Sequence, residues 1–410
     1  MDGAASTRGI FALAALAVAG AVARPAACGQ KMELEFVEPC PALEVVAERA
    51  ELRLGGTTLE HLAKGQRYSA TAKRGSRYQV HVFSGKVIRH GWVDAGDVRE
   101  LAEDEVDLAA EALRIAARLK PGIDVAACRA RLDALTRRVA EVASGADSPR
   151  GRVRAISGEL FREERFRLRP GVRTLEAVLE ERGGNCLGLS LLTLCAARRA
   201  GLPVCLVAVP RHVFVRWEGD GGAMNIEPTL GGRVVSDATV ARAHCPPGGA
   251  KPRKLSSLQV VGVLLTEAGV ALHKKGEDEA ACRLLAQAVA LAPRHGELYH
   301  NWGNALVALG QYPPACDRFS RAIRCDPRNA AAFYTWGVAL ASMGELRWAC
   351  QKYESAVEIA PRSAGAFYNW GLTLLRMGRE GEGVEKLRRA AALSPRFKAK
   401  VEKLLEAVQR

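Results

Sequence analysis

The sequence has no long apolar run beyond its N-terminus, and its acidic residues are outnumbered by basic ones. The first absence indicates that no later segment spans a membrane. The excess of 59 lysines and arginines over 45 acidic residues gives a net charge of +14, which would suit a nucleic-acid partner. However, acidic residues are interspersed among the basic ones and no nucleic-acid-binding motif accompanies them. We therefore expect no specific nucleic-acid partner. The charge indicates a solvated basic surface, with contact to cell-wall polymer or a membrane surface as the alternative.

The N-terminal segment is typical of an export signal. Arg8 precedes an apolar run from Ile10 to Ala23 that is short for a membrane span. The run ends in small residues that suit cleavage. Residues 1–27 are therefore predicted to be a signal peptide or N-terminal anchor. We expect an exported protein of the periplasm or cell envelope, and retention by an uncleaved anchor stays open.

The eleven cysteines would ordinarily indicate disulfides in an exported chain, but their placement argues otherwise. Cys282, Cys316 and Cys350 recur every 34 residues. Equivalent positions of stacked repeats lie farther apart than the roughly 7 Å over which a disulfide can form. These cysteines are predicted to be small packing residues. Cys28 and Cys40 are the one pair for which a bridge is considered.

The C-terminal part repeats with a 34-residue period. Glycines, prolines and tryptophans keep that interval, including Gly269, Gly303, Gly337 and Gly371, then Pro293, Pro327, Pro361 and Pro395, then Trp302, Trp336 and Trp370. This period and these positions are typical of tetratricopeptide repeats, which form an all-α solenoid. We predict a linker at 246–258, four repeats at 259–397 and a capping helix at 398–410.

Three residues of the central region suit thiol chemistry. Cys186 follows a glycine-containing turn and begins a predicted helix over 187–200, where the dipole and unpaired amides favour a thiolate. Segments 204–209, 212–217 and 224–227 are predicted strands. A hairpin closing near Gly219 and Asp220 places His212 opposite Glu227, and a shift of one full pairing step keeps both on one face. Cys186 is then the candidate nucleophile, His212 the base and Glu227 the orienting carboxylate. Asn225 is the reserve for the last role.

The region around these residues resembles the transglutaminase-like superfamily, in a bacterial branch that carries tetratricopeptide repeats. The resemblance rests on segments 108–116, 125–139 and 174–179, on Pro210-Arg-His-Val-Phe with Arg211 in place of glycine, and on Glu227-Pro228. It implies an α+β core, placed at 103–245, and a cysteine enzyme that hydrolyses peptide or isopeptide bonds or transfers acyl groups. The chemistry requires no cofactor and no metal. The Cys186 amide is the expected first oxyanion donor, and Asn185 is a candidate for the second by adjacency.

Residues 40–100 show short alternating strands with glycine turns. The pattern Gly-x-x-Tyr, Tyr-x-Val and Gly-Trp-Val, ending at Gly91-Trp-Val93, resembles bacterial SH3-like domains. It implies a small all-β barrel that either binds peptide or wall polymer or serves as a spacer. The whole chain is therefore predicted to be multidomain, with an all-β, an α+β and an all-α part.

The repeats are predicted to bind a protein or peptide partner. The tryptophans are expected to lie in the core between repeats, and the polar positions of each first helix to meet the ligand. Amide and hydroxyl side chains pair with a peptide backbone without a charge requirement. The candidates are Asn301, Asn304, Thr335 and Asn369. The alternative to an enzyme is a non-catalytic adaptor with a degenerate transglutaminase-like core.

Overall fold

The computed structural model describes residues 41–54, 56–84, 87–102, 105–245 and 251–408. The predicted signal segment and the Cys28–Cys40 pair lie outside these residues. The N-terminal part consists of β1 (Ala42–Val45), β2 (Arg49–Leu54), β3 (Thr57–Ala63), β4 (Arg67–Ser69), β5 (Ala72–Arg74), β6 (Arg77–Ser84), β7 (Val87–Asp94) and β8 (Val98–Glu100).

These strands form two sheets around one apolar cluster. The strand orders are β4-β1-β8 and β3-β2-β7-β6-β5. Leu43, Leu52, Leu62 and Val80 are buried between them. Within the described residues the hydrogen bonding does not close into the predicted barrel, because β1 pairs with β4 and β8 instead of joining the larger sheet.

The helical half of the central part precedes its sheet. It comprises α1 (Leu108–Leu119), α2 (Val125–Ser144), α3 (Pro149–Gly158), the two-residue β9 (Arg167–Leu168), α4 (Leu175–Glu181), β10 (Gly183–Gly184) and α5 (Cys186–Arg199). Polar N-caps start these helices; Asp107, for example, accepts a hydrogen bond from the Ala110 amide. Helix α5 is buried along most of its length and forms the middle of the core.

The sheet of the central part follows α5. Its elements are β11 (Val204–Val209), β12 (His212–Trp217), β13 (Met224–Glu227), β14 (Arg233–Val235), α6 (Asp237–His244) and β15 (Arg253–Leu255). The order is β14-β13-β12-β11-β15, with antiparallel neighbours. The predicted segments 204–209, 212–217 and 224–227 coincide with β11, β12 and β13. Helix α5 packs against β11 and β12, so the sheet covers the helix that begins with Cys186.

The structure differs from the predicted linker at 246–258. Arg253–Leu255 forms the edge strand β15, which pairs Leu255 with Leu206 of β11, and the next helix begins at Ser257. Leu255 is buried in the core of the central part. The sequence pattern missed this because a three-residue edge strand beside prolines shows no clear alternation.

The C-terminal part is a helical array. Its helices are α7 (Ser257–Lys274), α8 (Asp278–Leu291), α9 (Gly296–Ala308), α10 (Tyr312–Cys325), α11 (Ala330–Ser342), α12 (Leu346–Ile359), α13 (Ala364–Arg376), α14 (Glu380–Leu393) and α15 (Pro395–Val408). Gly303 and Gly337 allow close helix approach, because a Cβ at either position would clash with the ring of Phe319 or Tyr353. The last helix begins at Pro395, three residues before the predicted cap.

Each of the three repeat tryptophans makes a cation–π contact with an arginine or lysine side chain. Arg318 lies 4.2 Å from the Trp302 ring centroid, Lys352 lies 4.2 Å from Trp336, and Lys386 lies 4.7 Å from Trp370. The same contact thus recurs with the repeat period and stabilises packing within each repeat. The nine cysteines of the described ranges are all free thiols. Across the same ranges no helix is both long enough and apolar enough to span a membrane.

The array contacts both earlier parts. The Ser69 hydroxyl donates to the Leu291 carbonyl at 2.6 Å, which joins the N-terminal sheets to α8. Arg173 forms an ion pair with Glu267 of α7. The Arg198 guanidinium donates to the Ser257 hydroxyl at 2.8 Å. Together with β15, these contacts fix the start of the array against the central part.

Candidate functional site

Cys186 is the first residue of α5, and the chain before it fixes that position. The Asn185 amide donates to the Val172 carbonyl at 2.8 Å, and the Asn185 side-chain oxygen accepts from the Gly188 amide at 2.8 Å. This cap starts the helix at Cys186 and commits the side-chain oxygen of Asn185. The thiol is partly exposed and lies at the N-terminal end of α5.

His212 is the first residue of β12 and follows a two-residue turn. Val209 and His212 pair directly across the hairpin, with Pro210 and Arg211 at its tip. Arg211 has φ of 61°, in the left-handed region that favours glycine. The turn delivers the His212 ring to the same end of the sheet as the start of α5.

Glu227, the last residue of β13, holds the ring. The distance from His212 Nε2 to Glu227 Oε2 is 2.7 Å. The other carboxylate oxygen accepts from the Thr229 amide at 3.1 Å and from the Thr229 hydroxyl at 2.6 Å. The side chains of His212 and Glu227 are 11% and 8% exposed, so water screens their interaction weakly. Both carboxylate oxygens of Glu227 therefore have hydrogen-bond partners that fix the orientation of the side chain.

The pKa values of His212 and Glu227 are shifted in opposite directions. Burial lowers the pKa of His212, but hydrogen bonds with Cys186 and Glu227 and their negative charges outweigh it and raise that pKa to about 9. Burial raises the pKa of Glu227, but the His212 hydrogen bond and charge and the Thr229 hydrogen bonds bring it below its usual value. An imidazolium and a carboxylate therefore coexist at neutral pH. Since Nε2 is bonded to Glu227, Nδ1 is the nitrogen left for Cys186.

The observed strand register differs from the predicted one by two residues. Arg216 pairs with Asn225 and Trp217 with Met224, so the turn spans 218–223. The Trp217 indole N–H donates to the Asp220 carbonyl at 3.3 Å within that wider turn. The shift equals one full pairing step and leaves His212 and Glu227 on one face. Asn225 instead bonds to Arg216 and donates to Asp237 at 2.6 Å.

A second histidine, absent from the sequence-based site, lies against His212. The ring centroids of His212 and His244 are 4.4 Å apart and the rings are 11° from parallel. His244 ends α6 and is half-buried. Burial and the positive charge of His212 lower the pKa of His244, against a smaller opposing effect of Glu227. Helix α6 showed no motif that would have marked its last residue.

The four predicted partner-binding residues lie on α9, α11 and α13, far from Cys186 in sequence. Thr335 donates to the Ala331 carbonyl at 3.0 Å, and Asn369 donates to the Tyr334 hydroxyl at 3.0 Å. Asn304 lies 3.4 Å from a ring nitrogen of His300, one turn earlier. Three of the four side chains, those of Asn304, Thr335 and Asn369, therefore have hydrogen-bond partners within the array.

The described residues present no cluster of three or more His, Cys, Asp and Glu side chains suited to a metal ion. What the site brings together is a thiol, an imidazole and a carboxylate. In such a set the carboxylate stabilises the imidazolium, which can hold the proton of the thiol.

Among curated proteins, the chain is similar to two proteins of Xylella fastidiosa, from the strains Temecula1 and 9a5c, each named UPF0162 protein. Both are 35% identical to it over 89 residues, which cover 21% of this chain and 31% of theirs. The chain thus spans about a third of the length of the curated relatives it matches.

Solved structures with similarity include MamA, which is 28% identical with a TM-score of 0.32 over 34% of this chain and 81% of MamA. YrrB, described as a TPR protein with an unusual peptide-binding site, is 24% identical with a TM-score of 0.33 over 36% and 78%. Scores this low do not establish a common overall fold. Family profiles are more specific: the transglutaminase-like superfamily matches residues 126–261 and the TPR repeat matches residues 303–344. The chain therefore carries a transglutaminase-like domain, which contains Cys186, His212 and Glu227, followed by tetratricopeptide repeats.

Proposed function

We propose that the chain is a cysteine enzyme that cleaves peptide or isopeptide bonds, or transfers the acyl group to an amine. The observation that carries this proposal is the 2.7 Å contact between His212 and Glu227, on a histidine whose pKa is also raised by Cys186, the first residue of α5. A base oriented by a carboxylate and paired with a thiol is the arrangement that activates sulfur.

The reaction follows from these roles. The proton shared by the Cys186 sulfur and His212 Nδ1 resides on His212 in the reactive pair, which is therefore a thiolate and an imidazolium that Glu227 stabilises through Nε2. The thiolate attacks the substrate carbonyl carbon and forms a carbon–sulfur bond. The Cys186 amide, at the helix start, donates to the developing oxyanion. Collapse breaks the carbon–nitrogen bond, and His212 returns its proton to the leaving amine, which leaves a thioester on Cys186.

The second half returns the thiol. His212 takes a proton from water or from an acceptor amine as that group attacks the thioester carbonyl. Collapse of the second tetrahedral intermediate releases the Cys186 sulfur, which regains the proton from His212. Water gives a carboxylic acid and therefore hydrolysis, whereas an amine gives a new amide and therefore acyl transfer. The same three side chains serve both outcomes.

Selective alkylation tests the proposal. Cys195 and Cys205 are internal controls, because burial raises the pKa of each to about 12. We expect iodoacetamide at neutral pH to label Cys186 at least about tenfold faster than either control, as mass spectrometry of tryptic peptides would measure. His212→Ala should abolish that preference. Equal labelling of Cys186 and Cys195 in the native protein would overturn the proposed thiol chemistry.

We further propose that the repeats recruit a protein or peptide to the thiol site, with Asn301 and Asn304 as contact residues. The repeat match and the half-buried amide side chains of Asn301 and Asn304 on α9 support this role. An SH3-like origin for the two sheets of residues 41–100, and export through the N-terminal segment, are proposed on the sequence pattern alone. Here the sheets would act as a spacer, because Ser69 and Arg294 tie them to the array.

An adaptor without catalysis is the second candidate, favoured by the extent of the helical array from α7 to α15. In that case a partner binds the repeats, while the transglutaminase-like domain only supports the first helix pair. Labelling of Cys186 and turnover after Cys186→Ala distinguish the two candidates. An adaptor retains partner binding after Cys186→Ala and shows no preferential labelling of Cys186, whereas the enzyme loses turnover with that substitution.

A further inference from the structure

The ring of His244 covers one face of the His212 imidazole. At 4.4 Å between centroids and 11° between planes, the two rings are in parallel contact. Glu227 holds His212 by one ring edge through Nε2, and Cys186 together with Glu227 raises the pKa of that imidazole. Phe214 lies beside the same imidazole, with centroids 6.5 Å apart. The His212 ring is therefore held at one edge by Glu227 and on a face by His244.

The two histidines also have opposite electrostatic preferences. Hydrogen bonds and charge from Glu227 and Cys186 favour protonation of His212 despite its burial. Burial and the neighbouring positive charge disfavour protonation of His244. A neutral aromatic face against an imidazolium is favourable, whereas two imidazoliums in contact repel. Adjacent groups whose environments separate their pKa values in this way are characteristic of acid–base sites.

We propose that His244 is a positioning residue: its neutral ring holds the imidazole of His212 between Cys186 and Glu227, and its own protonation releases that hold. The proposal rests on the thiol chemistry proposed above and adds a residue that does not touch the substrate. The titratable groups facing His244 are His212 on β12 and Glu227 on β13. Cys245 follows it in the chain, where burial raises the pKa of the Cys245 thiol.

Two substitutions of His244 distinguish the effect of its aromatic face from the effect of its charge. His244→Phe keeps a flat aromatic face and cannot be protonated, whereas His244→Ala removes both. We expect His244→Phe to keep the rate of Cys186 alkylation at neutral pH within about twofold and to extend it to lower pH than in the wild type. His244→Ala should slow alkylation at neutral pH by about tenfold, because the imidazole is no longer held in place.

The test is the pH dependence of Cys186 alkylation by iodoacetamide, with thermal melting of each variant alongside it. His300→Phe is the matched control, because His300 is a half-buried histidine of the array that packs near Phe319 and lies outside the site. It should leave the pH profile unchanged. If His244→Phe gives the wild-type profile, or a folded His244→Ala reacts like the wild type, the proposed role of His244 is wrong.

A second readout does not depend on thiol reactivity. The titration of the His212 imidazole, followed by NMR of ring-labelled protein, should shift between the wild type and His244→Phe, because a neighbour that can become charged has been removed. An inert Cys186 in the wild type would refute the proposed enzyme and leave this titration intact as the test of the histidine pair. An identical His212 titration in both proteins would refute the pair.

Discussion

Glu227→Gln should change how the stability of the fold depends on pH. The substitution keeps the size of the side chain and removes its charge. If the amide oxygen accepts from His212 Nε2, the amide NH₂ faces the Thr229 backbone N–H, which now donates to Glu227 at 3.1 Å. Two donors then meet, so the variant loses the charge interaction with His212 and one hydrogen bond with Thr229. Both changes weaken the interaction by which Glu227 raises the pKa of His212.

The magnitude follows from the pKa of His212, which the site raises from 6.5 to about 9. One pKa unit corresponds to about 1.4 kcal/mol, so protonated His212 stabilises the native state by about 3 kcal/mol. The pKa of His212 is higher in the folded state than in the unfolded state. This stabilisation is therefore complete below pH 6.5 and is lost as pH rises through about 9. Glu227 and Cys186 share the effect, so Glu227→Gln should remove a large part of it.

Denaturant unfolding across that pH range provides the assay. The free energy of unfolding of the wild type should fall between pH 6.5 and about 9 more steeply than that of Glu227→Gln, and the difference of slopes isolates the pair. Asn225→Ala is the control, because Asn225 bonds to Arg216 and Asp237 instead of His212. It should lower stability at every pH without changing the slope. Parallel curves for the wild type and Glu227→Gln would refute the electrostatic argument.

Two further predictions concern the backbone and the domain boundary. Arg211→Gly should raise the free energy of unfolding by about 0.5–1 kcal/mol, because a φ of 61° suits glycine. Arg211→Ala should not raise it. Urea unfolding of both variants measures the difference. Truncation after Cys245 removes β15 and α7 from the core, so the remaining chain should lose its cooperative thermal transition, whereas retention of a wild-type melting curve would contradict the contacts described here.

Local sequence patterns predicted the elements that carry the site. The strands at 204–209, 212–217 and 224–227 follow from alternation and turn residues, and the start of α5 follows from the glycine-containing turn before it. The repeat period predicted the helix pairs of the array for the same reason, since each glycine contact is made within one repeat. These features depend on residues close together in the chain.

Features set by distant contacts were not predictable in the same way. The hairpin register is a local exception, because alternation fixes only its parity and the turn of 218–223 can close one pairing step to either side. The stack of His244 on His212 joins the end of α6 to the start of β12. Strand β15 lies beside β11 although about fifty residues separate them in the chain, and no local pattern encodes that pairing.

The same distant pairing bears on how the two functions can be separated. Strand β11 pairs with β15 on one side and with β12 on the other, so the strand that begins with His212 and the strand that precedes α7 belong to one sheet. Removing the repeats therefore disturbs the sheet under the thiol site, and a loss of turnover after truncation would not distinguish recruitment from unfolding. Substitutions of Asn301 and Asn304, on a helix outside that sheet, leave the sheet intact. Recruitment by the repeats is thus tested by substitutions on α9, and catalysis by substitution of Cys186.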